Sequence, residues 1–135
     1  MKVFFGGSRR WVEPAPIDEV VLGLPDKTIV VHGGAPGVDN IAGDAAHRRG
    51  LPVRVYPALA DGRMWPWAGP VRNQVMLDRE HPSSDGELIY RAYLLHKDPG
   101  LGKGTKDMLK RLEKADPSIE IWLKIGKLDW VLHRG

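Results

Sequence analysis

Three short glycine-bearing stretches carry the residues of this chain best suited to hold an anion: Gly6-Gly7-Ser8, Gly33-Gly34-Ala35 and Gly102-Lys103-Gly104-Thr105. A glycine turn that leads from a strand into a helix leaves backbone N–H groups free at the helix N-terminus, where the dipole also favours negative charge. The second stretch has the fullest setting. The β-branched run Thr28 to Val31 reads as a buried strand, and the chain then turns through His32 to Gly37. Past the turn, Val38, Ile41, Ala42, Ala45 and Ala46 fall three or four apart, the spacing of one helix face. Gly50 followed by Pro52 stops that helix, and Val53 to Tyr56 begins the next strand. A tight turn with no ligand uses glycine equally well, so one such stretch alone says little.

The elements around these turns alternate. Residues 2–5 form a first strand, and Asp18 precedes a short apolar helix through Leu24. After the third strand, Pro57 to Pro70 is a Gly-, Pro- and Trp-rich loop without periodicity, longer than compact domains usually carry and so a candidate for function. Val71, Val75 and Met76 have helical spacing, with the helix ending near Glu80. His81 to Gly86 reads as a surface turn, Glu87 to Leu95 as the fourth strand and Ile119 to Leu123 as the fifth. Gly104-Thr105 should cap the intervening helix that bears Met108, Leu109 and Leu112. The alternating Leu128, Trp130 and Leu132 suggest an added C-terminal edge strand. The expectation is therefore one α/β domain over residues 1–135: a Rossmann-like, three-layer fold with a mostly parallel five-stranded sheet in the order 3-2-1-4-5. In that order strands 1, 2 and 4 are adjacent, so the three glycine turns should line one crevice. Their convergence tells more than any single turn.

Composition sets bounds. A chain of 135 residues can bury roughly two thirds of its unfolded surface as one domain. No apolar run approaches the roughly 18 residues of a membrane span. No signal-peptide core is seen and there is no Cys, so the reading is cytoplasmic, without disulfides or thiolate chemistry. The net charge of +3 suits an anionic ligand. The five His share no ligand spacing, so no metal site and no cofactor are expected. His32, at the end of a buried strand, reads as a structural histidine ahead of a catalytic base. Arg48 and Arg49 suit a helix C-terminus. Trp65 and Trp67 fit stacking on a base or packing in an interface equally well.

The usual dinucleotide and P-loop patterns are absent. Instead, Gly7-Ser8-Arg9, His32-Gly33-Gly34-Ala35-Pro36-Gly37-Val38-Asp39, Ala68-Gly69-Pro70-Val71-Arg72-Asn73-Gln74-Val75-Met76 and Gly102-Lys103-Gly104-Thr105-Lys106-Asp107 stand in order along the chain. This set resembles the SLOG superfamily, in particular its small YspA-like branch. Relatives include the lysine-decarboxylase-like (LOG) phosphoribohydrolases and the DNA-processing protein DprA. The resemblance implies a site for a nucleotide-derived small molecule, such as a nucleoside monophosphate or an ADP-ribose-like compound, sensed or processed. By position, amides of Gly33, Gly34, Ala35, Gly102, Gly104 and Thr105 would meet a phosphate. Gly7, Ser8 and Arg9 would reach it from strand 1, and a guanidinium can grip phosphate with two donors. Arg72 and Asn73 match a position that helps cleave the N-glycosidic bond in the hydrolases. Asp39 suits either a ribose contact or a helix-start role.

One departure bears on catalysis. The hydrolases carry a Glu where this chain has Met108, and a thioether can act as neither acid nor base. Asp107 is the nearby substitute carboxylate, but one residue earlier on a helix points about 100° away. Enzyme and sensor readings therefore both stand, with Arg72 and Asp107 as the catalytic candidates. A single-stranded nucleic-acid binder of DprA type is the alternative. The basic pI of 9.3 and the loop tryptophans favour it, and the scattering of 20 basic among 17 acidic residues opposes it. A homodimer is implied by the resemblance alone.

Overall fold

The computed structural model of the chain describes residues 1–57, 68–81 and 87–134. Elements run β1 (Lys2–Gly7), α1 (Ala15–Leu22), β2 (Ile29–His32), α2 (Val38–Arg48), β3 (Val53–Val55), α3 (Ala68–Glu80), β4 (Arg91–His96), α4 (Gly102–Ala115), β5 (Glu120–Ile125) and β6 (Val131–Arg134). They build one sheet in the order β3-β2-β1-β4-β5-β6. β1 to β5 are parallel, and β6 pairs antiparallel with β5. The expected order and the added edge strand both stand.

The sheet is covered on both faces, and period-two alternation decides which residue meets which cover. Val3 and Phe5 pack with Val21, Ala42 and Ala46 under α1 and α2. Phe4, between them, faces Met76, Leu77, Met108 and Leu112 under α3 and α4. Tyr93 stacks on Phe5 at 5.1 Å and takes the edge of Trp130 at 5.5 Å. The Trp130 contact shows why the tail folds back: one aromatic is partly buried, while Leu128 and Leu132 stay exposed.

Three boundaries and the place of one histidine differ from the sequence reading. α1 starts at Ala15, ahead of Asp18, because Pro16 sits in its first turn, where a missing N–H and a fixed φ cost nothing. β4 spans Arg91–His96 only; Tyr90 still donates to the Lys2 carbonyl, but 87–90 do not join the ladder. α4 begins at Gly102 after Leu101, with no side-chain cap, so Thr105 lies inside the helix and does not cap it. His81 is buried, not part of a surface turn: its Nδ1 accepts from the Ile89 amide and its Nε2 meets Asp116 at 2.9 Å. Trp65, Trp67 and residues 82–86 lie outside the described residues.

Candidate functional site

β1, β2 and β4 are neighbours, so their carboxyl ends open side by side. There a cleft of about 710 Å³ is lined by Gly7, Ser8 and Arg9 after β1, by Gly33, Gly34, Ala35 and Asp39 after β2, and by Gly102 to Thr105 after β4. Arg72 and Asn73 from the start of α3 complete its wall. Twelve of the thirteen residues singled out from the sequence thus share one cavity. Close backbone approach makes this possible. A Cβ on Gly7 would lie 1.9 Å from the Leu95 carbonyl oxygen, so only glycine lets β1 leave the sheet beside β4. Ser8 then donates its amide to that same carbonyl at 2.9 Å.

The turn after β2 is wired differently from its expected role. Asp39 reaches back from α2, and its Oδ2 accepts from the Gly33 amide at 3.1 Å and the Ala35 amide at 3.2 Å. The Gly34 amide donates to His32 Nδ1 at 2.9 Å. All three amides expected to meet a phosphate are therefore engaged within the turn. Asp39 serves as the turn's own anion, which favours its structural role over a ribose contact. Burial pushes its carboxyl up to about 6, against the pull of the Ala35 amide, Arg72, the Gly33 amide and Arg9. Burial pulls His32 down to about 4, with Asp44 opposing. A neutral imidazole that accepts at Nδ1 carries its proton on Nε2. His32 does not line the cleft, and its Nε2 would be 2.6 Å from a Cβ on Gly43. It is a packed structural histidine.

Arg72 braces this wall. Its Nη1 donates to the Gly33 carbonyl at 2.8 Å and the Tyr56 carbonyl at 3.2 Å, and its Nε to Asn73 Oδ1 at 2.9 Å. Gly33 must be glycine for this: a Cβ there would fall 1.9 Å from Nη1. Burial lowers the guanidinium's pKa, Asp39 opposes, and Arg9 adds to the lowering. Asn73 passes the chain of bonds on, donating to Asp107 Oδ2 at 3.1 Å, which also accepts from Arg111 Nε at 2.8 Å.

Asp107 corrects the substitute-carboxylate expectation. It is the one singled-out residue that does not line the cleft, whereas Met108 does. Desolvation acts to raise its pKa, but hydrogen bonds from Arg111 and Asn73 win and hold it below the ordinary carboxylate value. An ionised carboxylate engaged by two donors and outside the cleft lining is no proton donor to the cleft.

The β4 side is the open one. With no side-chain cap, the first amides of α4 have no intrahelical acceptor. Leu101 holds φ +64, a left-handed conformation that favours glycine. Thr105, only 7% exposed, lines the cleft, and its hydroxyl has no hydrogen-bond partner among the described residues. Ser8 Oγ, equally buried, accepts from the Arg10 amide at 3.0 Å and keeps its own proton to give. Arg9 and Lys103 add two exposed cations at the rim, so among the described residues Arg9, Lys103 and Arg72 outnumber the one lining carboxylate, Asp39. Phe4, Pro57, Pro70 and His96 also line the cleft and were missed from sequence. His96 ends β4 directly before a singled-out turn, which was the available signal.

Among solved structures, the chain is similar to DNA processing protein A (DprA) from Streptococcus pneumoniae, with a TM-score of 0.73 at 16% identity. The match covers 95% of this chain and 52% of that one, so the chain spans about half of that protein's length. At this identity the likeness carries the fold, and it agrees at that level with the resemblance seen in the motifs. No protein-family model and no curated protein matches the chain. Among the described residues no helix is long and apolar enough to cross a membrane.

Proposed function

We propose that the chain is a SLOG-type domain of the YspA-like kind that binds a nucleotide-derived, phosphate-bearing small molecule at the carboxyl edge of its sheet. The carrying observation is the meeting of three strand-end turns around one cleft whose β4 side presents uncapped helix amides. The anion sits at Gly102, Gly104 and Thr105, with Ser8 and Arg9 facing it. The turn 33–35 supplies a rigid wall, because its amides already serve Asp39 and His32. Arg72 shapes that wall and offers its remaining donors to the ligand. Binding is favoured over N-glycosidic hydrolysis: Met108 stands in the cleft at the position of the related Glu, and Asp107 lies outside it.

Thermal shift against adenosine monophosphate, cyclic nucleotides, NAD and ADP-ribose tests this. A ligand at a hundredfold its Kd stabilises the native state by about 2.7 kcal/mol, and no shift from any of these at millimolar concentration rejects the reading. The DprA-like fold favours a second reading, a single-stranded nucleic-acid binder. That reading requires an oligonucleotide affinity that falls steeply with salt. A nucleotide response without it decides for the small molecule.

A further inference from the structure

Resting on that binding reading, the geometry points to an unassigned contact residue: we infer that His96 Nε2 donates a hydrogen bond to the ligand's anionic group at the start of α4. His96 is the last residue of β4 and lines the cleft. Its ring is fixed from behind, where Nδ1 accepts from the Asp98 amide at 3.0 Å. A neutral ring that accepts at Nδ1 must carry its proton on Nε2. That nitrogen lies beside Gly102: a Cβ built there would be 3.0 Å from it. Nε2–H and the uncapped amides of α4 therefore border the same volume.

A helix start alone would not identify a ligand site. The second observation is Thr105: the residue is only 7% exposed and lines the same cleft, and its hydroxyl has no hydrogen-bond partner among the described residues. Backbone amides, a buried hydroxyl and an oriented imidazole N–H then converge on one anion. Gly102 fits this arrangement twice over. It holds φ +65, and its lack of a side chain keeps the passage between the His96 ring and the helix start open.

Two substitutions separate a ligand contact from a structural one. Asn places an amide near the position of Nδ1, and Gln near that of Nε2. His96→Asn keeps an acceptor for the Asp98 amide and removes the outward donor; His96→Gln does the reverse. Titration calorimetry with adenosine monophosphate and with ADP-ribose should show about tenfold or greater weakening in His96→Asn, the loss of one hydrogen bond to a charged group. His96→Gln should bind within about threefold of the native chain. Denaturation midpoints of both variants establish that each is folded. Equal affinities across all three proteins, or a weaker His96→Gln than His96→Asn, overturn the assignment and leave the binding reading intact. A native chain that binds neither compound overturns both.

Discussion

The two ends of α3 carry similar polar residues and put them to opposite uses. At its C-terminal end Glu80 is buried and saturated: Lys2 Nζ lies 3.0 Å and Arg54 Nη1 2.7 Å from its Oε1, and the Tyr56 hydroxyl donates to its Oε2. Lys2 also donates to the carbonyls of Glu80 and Glu87 at 2.8 and 2.7 Å. At the N-terminal end, Arg72 and Asn73 are tied to Gly33, Tyr56 and Asp107 on one side and border the cleft on the other. The amino edge of the sheet closes its polar groups on each other. The carboxyl edge leaves donors over, as parallel α/β sheets do where they bind ligands.

Disrupting the closed end should cost stability most. Glu80→Ala strands a buried ammonium, and urea unfolding should show a loss of about 3–5 kcal/mol. The open end should respond to pH through two opposed groups. Asp39, raised to about 6, makes the native state lose stability as pH rises from its unfolded value of 3.8. His32, lowered to about 4 from 6.5, makes it gain stability over nearly the same window. Each is worth on the order of 3 kcal/mol, so they largely cancel in the native chain. Asp39→Asn should gain on the native chain as pH climbs from 4 to 6, and His32→Asn should fall behind it. Stability measured at a series of pH values would show both, and parallel curves for all three proteins would remove the paired-titration account.

Gly33→Ala drives a methyl into the Arg72 guanidinium and should cost about 1–3 kcal/mol, with ligand affinity falling at least tenfold as Arg72 moves. Asp107→Ala should be the mildest, about 1 kcal/mol from a partly exposed ion pair and one hydrogen bond. Its ligand affinity should be unchanged in titration calorimetry; a large loss there would place Asp107 in the site after all.

Much of this was legible in the sequence because the sheet is parallel and covered on both faces. Buried runs such as Thr28 to Val31, alternating with helical spacing after each turn, fix strand order and bring the turns together. Asp107 was a catalytic candidate in the sequence; its one-residue offset from Met108 goes with a cleft lining that includes Met108 and not Asp107. What stayed hidden depends on which partner reaches a group first. The turn 33–35 looked like an anion nest, and it is one, filled by Asp39 from four and six residues downstream. Thr105 looked like a cap because a Gly-Thr pair is a helix-start signal, but the helix begins three residues earlier at Gly102. His81 follows a polar helix end and His96 an apolar strand run, and only the fold decides that the first is sealed against Asp116 and the second borders the cleft.

Amide chemical-shift mapping tests the open edge most directly. With adenosine monophosphate added to the isotopically labelled chain, the amides of Gly102, Lys103, Gly104 and Thr105 should move furthest and saturate together, while those of Gly33 and Ala35, held by Asp39, move less. Shifts confined to β3, β6 or the α1–α2 face, or none at all at saturating ligand, would contradict the proposed site.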